Sequence, residues 1–403
     1  MMHRRVLLAA GLSLALAAAC HQDELFTPLV PAYAGGALFQ RYVSMGNSIT
    51  MGIQSGGIDD SSQRAAYPVL VAAVMGGDHF YYPSLAEPGC PPRYTNIFTG
   101  ARVGGGTSPT CAFRSAGIPP YISNVAIQGA WAIDLFANGP APGTHSNPLT
   151  QLALGGRTQL QAMMAAQPTF VSVWIGNNDL IQAAFANDTL LITDTTAFKT
   201  QYRQVLDSIQ AVGAKALLIG AGAGTFPATI PPYWSRGSTY YGLFVSGAFA
   251  PAPFTVLANC APPRGDSVFV AFPYGLGLIG TAKTGTATTL DCTAPQTIQP
   301  ASTAKYARIE AAYNVFIQSE ATARSWAYLS LNATFDSLRT VLPAGSQIAP
   351  FPNTNAACSG SPFGLAFSCD GFHPSTASHR LIAKKIVQAI NAYYQSAIPA
   401  ITP

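Results

Sequence analysis

Residues 156–179 read GRTQLQAMMAAQPTFVSVWIGNND, and the order of residue types in this stretch decides the fold. Helix formers run to about Ala166 and Pro168 stops them; the apolar run Phe170–Ile175 that follows has the character of a buried strand. A small-residue turn closes it at Gly176-Asn177-Asn178-Asp179. The pattern then repeats. Phe198, Tyr202, Val205, Leu206, Ile209 and Val212 recur at helical spacing, Gly213 stands where a C-terminal cap belongs, and KALLIG at 215–220 is another buried strand. Farther on, STAKYARIEAAYNVFIQSEATARS at 302–325 reads as a helix and WAYLSL at 326–331 as a strand, and a last helix presents Ile382, Ile386, Ile390 and Tyr393 on one face. Such alternation implies βαβ units around a parallel sheet. No internal repeat is visible.

Working outward, RYVSM at 41–45 alternates as a strand does, and VSMGNSITMG at 43–52 shows it breaking off at a turn that carries Ser48. QRAAYPVLVAAVMGG (63–77) suggests a helix closing at Gly76 and Gly77, Cys90 to Gly117 reads as a long surface loop, and NVAIQGAW (124–131) as a short strand entering a turn. From about 221 to 300 the periodicity dissolves into Pro, Gly, Thr and aromatics, with short runs such as SVFVAF (267–272), which marks an insertion in a domain spanning 41–398.

The chain has 403 residues, 49% of them hydrophobic and 9% charged, enough to bury a large core and too apolar for a disordered chain. Its formal charge of +4 includes Arg4 and Arg5 of the leader, which excludes a nucleic-acid footprint. MMHRRVLLAAGLSLALAAAC has the basic start, apolar run and small residues of a secretory signal over 1–19, too short to span a membrane as an ordinary helix. Ala17-Ala18-Ala19-Cys20 resembles a bacterial lipobox, with a plain cleavage site as the alternative. A lipid anchor at Cys20 followed by a tether over 20–40 implies a protein of the bacterial cell envelope, outer-membrane rather than inner because His21 stands where a retention aspartate would, or else a secreted one.

Six cysteines remain after Cys20, an even set that suits three disulfides in an oxidising compartment. Six allow fifteen pairings; the shortest loops join Cys90 to Cys111, Cys260 to Cys292 and Cys358 to Cys369. With no Cys-x-x-Cys pair and scattered histidines, no metal site is expected.

A serine hydroxyl is a weak nucleophile, so hydrolysis needs a base, a group that orients the base, and donors aimed at the developing oxyanion. Four places supply such parts: Ser48, Gly129 in AIQGAW, Asn178 in IGNND, and Asp370 with His373 in CDGFHPS. Alone, each is an ordinary turn or cap residue. Together and in this order they resemble the blocks of the SGNH, or GDSL, hydrolase family: GNSIT, NVAIQGA, WIGNND and DGFHPS. The resemblance implies an α/β, three-layer α/β/α, flavodoxin-like fold with a parallel central sheet. It also implies carboxylic ester hydrolysis without metal or organic cofactor, with Ser48 as nucleophile, His373 as base and Asp370 orienting it. The Ser48 amide, the Gly129 amide and the Asn178 side chain would form the oxyanion hole, with Gly176 permitting the turn. One departure is Asn47, where the family usually has aspartate. No Gly-x-Ser-x-Gly elbow of the α/β-hydrolase kind occurs.

Gly-Asp-Ser also occurs literally at 265–267, after CAPP and before an apolar strand, a context that gives Ser267 no catalytic role. The expected substrate is a small-molecule, lipid or glycan ester. The alternatives are an acetyl-glycan esterase, or an envelope lipoprotein that binds glycan or another surface partner through the aromatics of FPATIPPYW and TYYGLF. Oligomeric state is left open.

Overall fold

The structure is a computed structural model that describes residues 36–402 apart from 107–116, 118, 140–142, 146–147, 223–229 and 251. The leader, Cys20 and Cys111 therefore lie outside the described residues.

Four parallel strands form the central sheet: β1 (Tyr42–Gly46), β2 (Phe170–Trp174), β3 (Lys215–Ile219) and β4 (Ala327–Leu329), paired in that order. The expected strand at NVAIQGAW is reduced to a parallel bridge, Ser44 to Asn124. Its backbone still tracks the edge of β1: the Ser44 N–H donates to Ser123 O (2.8 Å), Val125 N–H to Ser44 O (3.0 Å) and Ile127 N–H to Gly46 O (3.3 Å). Counted by position, this segment is the second strand of a 2-1-3-4-5 order, the doubly wound arrangement in which ligands bind beyond the C-terminal ends of the strands where the order reverses. Those ends are the ends of β1 and β2.

Alternation within each strand divides the core into two layers. Phe170 and Trp174 with Leu217 and Ile219 face one side, packed with Tyr67 and Val71 of α2 (Tyr67–Met75) and Ile382, Ile386 and Ile390 of α7 (Thr376–Tyr394). Val171 and Val173 with Ala216 and Leu218 face the other, against α3 (Gln159–Ala166), α5 (Thr195–Ala211) and α6 (Pro300–Ala323). Helix α3 begins where Thr158 and Gln161 close a capping box and ends at Gln167, in a left-handed conformation before Pro168.

The 221–300 region is more regular than its composition suggests. Trp234–Arg236, Phe269–Ala271 and Thr297–Ile298 form an antiparallel three-stranded sheet, and Phe254–Val256 pairs in parallel with Thr288–Leu290. Two helices, Gly237–Val245 and Phe272–Lys283, cover a separate small core around Tyr240, Val270, Leu290 and the Cys260–Cys292 disulfide. Periodicity is lost because each element is too short to show it. The Cys90–Gly117 loop likewise contains a small hairpin, Tyr94–Asn96 with Ala101–Arg102.

One side chain fixes the end of β1. Gln159, 1% exposed, donates from Nε2 to Gly46 O (2.8 Å) and accepts the Gly46 N–H at Oε1 (3.0 Å). Replacing it by leucine strands the buried Gly46 N–H at about 1–3 kcal/mol and leaves Gly46 O only the longer bond from Ile127 N–H. Gln159→Leu should therefore lower unfolding stability in urea by about 1–3 kcal/mol; an unchanged midpoint would mean that the Gly46 N–H finds another partner.

Candidate active site

Gly46 ends β1 against the neighbouring strand: a Cβ there would lie 2.5 Å from Trp174 O and 2.4 Å from Thr50 Oγ1. The chain turns at once into α1 (Ser48–Met51), a single turn headed by Ser48. Asn47 caps it, its Oδ1 accepting the Ile49 N–H at 3.2 Å. The amide thus retains the acceptor that an aspartate would supply, a cap of about 1 kcal/mol, without placing a second carboxylate beside Ser48. Gly52, with φ of 100°, closes the turn, and the N–H groups of Gly52 and Ile53 both donate to Ser48 O (3.0 and 2.9 Å). Ser48 is 8% exposed.

The edge segment bonded to Gly46 O leads directly into the turn at Gly129, whose φ of 78° suits glycine. Beyond β2, Gly176 (φ 103°) makes a turn in which a Cβ would press on Ala221 and the Phe198 ring at 3.1 Å, and α4 (Asn178–Ala186) starts. Consecutive residues of α4 hold the Gly129 loop. Asn178 Nδ2 donates to Ala130 O at 2.9 Å, which occupies one of its two amide hydrogens. Asp179 Oδ2 accepts the Ala132 N–H at 3.1 Å.

Asp370 and His373 occupy a tight loop pinned by an antiparallel bridge between Phe367 and Pro374 and by the Ser368 N–H on His373 O (2.8 Å). His373 Nδ1 lies 2.8 Å from Asp370 Oδ2, with both side chains about 5% exposed or less. The carboxylate makes Nδ1 the protonated nitrogen and leaves Nε2 as the basic one. Oδ2 also accepts the Gly56 N–H (2.7 Å), while Oδ1 accepts the N–H groups of His373 (2.9 Å) and Phe372 (3.1 Å) and the Ser368 hydroxyl (3.2 Å). Burial alone would raise the Asp370 carboxyl, but the His373 ring and these donors hold it below its ordinary value. The Cys358–Cys369 disulfide ties the residue before Asp370 to a second loop. Closing so short a loop contributes roughly 2–3 kcal/mol by chain entropy.

The bond to Gly56 brings this loop to the segment that follows α1. Ser55 N–H donates to Ser368 Oγ (2.8 Å), Cys369 N–H to Ser55 Oγ (3.1 Å), and Thr376 Oγ1 to Gln54 Oε1 (3.0 Å). All five expected residues therefore belong to the C-terminal edge of the sheet or to loops bonded to it. Ser267 does not: it is exposed in a turn of the insertion, its hydroxyl turned back on Arg264 O at 3.1 Å. Of the expected disulfides, Cys260–Cys292 and Cys358–Cys369 are present, and Cys90 is disulfide-bonded, with Cys111 outside the described residues. Among the described residues no cluster of three His, Cys, Asp or Glu side chains is placed to hold a metal.

The family of GDSL-like lipases and acylhydrolases matches residues 42–386. The chain belongs to that family. It is accordingly a carboxylic ester hydrolase. Solved structures similar to it include a catalytic mutant of Axe2, an acetylxylan esterase from Geobacillus stearothermophilus, at 13% identity over 89% of this chain and 96% of that one, TM-score 0.38. The acetyl xylan esterase AlAXEase (13% identity, 87% and 99% covered, TM-score 0.36) and TesA (12%, 88% and 99%, TM-score 0.37) are similar to the same extent. No curated protein matches the chain.

Two histidines and an aspartate escape a reading of motifs. His379 is fully buried, with Nδ1 accepting the Tyr67 N–H at 3.3 Å; burial and the nearby His373 push it down to about 3, so it stays neutral and does not compete for the catalytic proton. His145 forms a second pair with Asp134 at 3.1 Å, stacked on Trp131 beyond the Gly129 turn, but it is exposed. Asp179 is fully buried with Oδ1 unpartnered, and burial pushes it up to about 7. The folded protein then holds this proton more tightly than the unfolded chain, so stability declines as pH rises from about 4, the unfolded value, toward 7. Asp179→Asn keeps an acceptor for Ala132 and removes the charge, so its gain over the wild type in urea midpoint should be larger at pH 8 than at pH 5. Equal gains at both would show that Asp179 does not titrate across this window.

Proposed function

We propose that ester hydrolysis proceeds through an acyl-enzyme on Ser48. His373 Nε2 takes the Ser48 proton as Oγ attacks the ester carbonyl, and the tetrahedral oxyanion receives the Ser48 and Gly129 N–H groups and the free Asn178 amide hydrogen. His373 returns the proton to the leaving alcohol as the C–O bond breaks. Water, activated by the same imidazole, then releases the acid. Asp370 keeps Nδ1 protonated throughout and stabilises the imidazolium that forms.

The observation that carries this reading is the Asp370 carboxylate bonded at once to His373 Nδ1 (2.8 Å) and Gly56 N–H (2.7 Å), which joins the base to the segment leaving the nucleophile's helix. Hydrolysis of p-nitrophenyl esters of graded chain length tests it and sorts short acyl esters from lipid-like ones. Ser48→Ala should abolish turnover, Asn178→Ala should lower kcat about 10²–10³-fold with little change in KM, and a fluorophosphonate should label the Ser48 peptide alone. Labelling of the Ser267 peptide instead would overturn the assignment.

The finer substrate reading includes acetylated glycans. Of the aromatics named for a binding role, Trp234 is 3% exposed and packs on Phe185 of α4, and Tyr240 is fully buried in the insertion's own core, which favours the enzyme over a pure binding module.

The protein is also proposed to be anchored in the cell envelope through lipid on Cys20, on the strength of the Ala17-Ala18-Ala19-Cys20 junction. Among the described residues no helix is long and apolar enough to cross a membrane. Mass spectrometry of the mature N-terminus should find a lipidated Cys20, and Cys20→Ser should release the protein from membranes; an unmodified residue 20 would rule the anchor out.

A further inference from the structure

Beside the catalytic histidine stands a layered set of aromatic rings that neither the nucleophile nor the oxyanion donors use. Phe372 has its ring centroid 4.2 Å from that of His373. Phe185 lies 5.1 Å from Phe372, and Tyr233 lies 5.0 Å from Phe185 and 5.8 Å from Phe372. All three are partly exposed. Behind them, buried, are Trp234, stacked on Phe185 at 5.0 Å, and Phe272, 4.9 Å from Tyr233.

The rings come from separate elements. Phe185 is on α4, two turns beyond Asn178 and on the same helix face. Phe372 lies between Asp370 and His373. Tyr233 belongs to the insertion and is latched to the catalytic loop, its N–H donating to Gly371 O at 2.9 Å and its O accepting the Phe272 N–H at 2.8 Å. Gly371 allows that approach: a Cβ there would meet the Phe363 ring at 2.9 Å and Tyr233 N at 3.2 Å.

The position of this wall relative to the proton path identifies its occupant. The leaving oxygen receives its proton from His373 Nε2, so it must come within about 3 Å of that atom, and the alcohol it carries extends beside the histidine. The Gly129 and Asn178 donors hold the carbonyl oxygen of the same ester. Resting on the acyl-enzyme reading above, we infer that Phe372, Phe185 and Tyr233 form the leaving-group subsite and select esters whose alcohol presents a flat, ring-shaped apolar face, as a pyranose or an aryl ring does. Rings backed by buried rings are preorganised for face contact and lose little side-chain freedom when an alcohol stacks on them.

The test holds the acyl group constant as acetate and varies the alcohol: an aryl acetate, an acetylated pyranoside and an open-chain alkyl acetate. In the wild type, kcat/KM should favour the ring alcohols. Tyr233→Ala and Phe185→Leu should each lower kcat/KM for ring acetates about 3–10-fold and leave the alkyl acetate within about twofold. Deacylation of the common acetyl-enzyme, measured by single turnover, should not change, and Tyr233→Phe should restore the preference. Phe185→Leu carries the test if Tyr233→Ala does not fold. Aryl and pyranosyl arms responding separately would tell which ring is the better fit. Equal losses for all alcohols, or losses that follow acyl length instead, would overturn the inference while leaving the esterase intact. Absence of Ser48-dependent hydrolysis of any ester would instead remove the reading on which it rests.

Discussion

The Asp370 carboxylate is the junction on which the site depends. It is 3% exposed and accepts five hydrogen bonds, from Gly56 N, Phe372 N, His373 N, His373 Nδ1 and Ser368 Oγ. A buried carboxylate without partners would take a proton; this many donors keep it charged and leave it no freedom of orientation. The bond to Gly56 crosses 314 positions of sequence and determines where the C-terminal loop meets the N-terminal strand. Only glycine fits there, because a Cβ on residue 56 would lie 2.6 Å from the Tyr94 ring. Arg102 holds the carbonyl of the same residue, with Nη1 donating to Gly56 O at 3.2 Å while its guanidinium covers Tyr94. The small hairpin in the long loop after Cys90 is therefore a support for the base, though it touches no reacting group.

On the nucleophile side the constraint is the end of a parallel sheet, where ladder hydrogen bonds stop and turns begin. Gln159 substitutes for the missing ladder at Gly46, and the edge segment at 123–127 passes from pairing with β1 to forming the Gly129 turn. Asn178 and Asp179 then grip the peptides on either side of Trp131. On the acyl-enzyme reading proposed above, a donor preorganised in this way need not be reoriented when charge develops.

The fold was legible because long buried strands and amphipathic helices announce themselves by periodicity, as in Phe170–Trp174 and Thr195–Ala211. The five candidate site residues were legible because each sits in a short turn whose local sequence is unusual. Gln159, Gly56 and Asp179 were not, since each acts on a residue far away in the chain and no local pattern marks such a contact. The strand at 124–127 was overread: its apolar residues bury against the sheet, yet only Asn124 forms a bridge. The insertion was underread as irregular, because three-residue strands such as Trp234–Arg236 carry no period. Its order comes from a disulfide and a shared core.

The place of that insertion in the chain explains how it reaches the site. A strand of a parallel sheet delivers the chain to the C-terminal edge, and β3 does so at Ile219, on the same edge as Ser48 and Asn178. An added segment in the crossover between β3 and α6 therefore emerges beside the active site, and needs only a short path to bring Tyr233 against Gly371. The Asn178 side is built from β1, β2 and the edge segment, and the insertion reaches it at the far end of α4, where Phe185 stacks on Trp234 and Asn187 Nδ2 donates to Thr297 O at 3.0 Å. Changes in the insertion therefore bear first on the aromatic rings beside His373, through Tyr233.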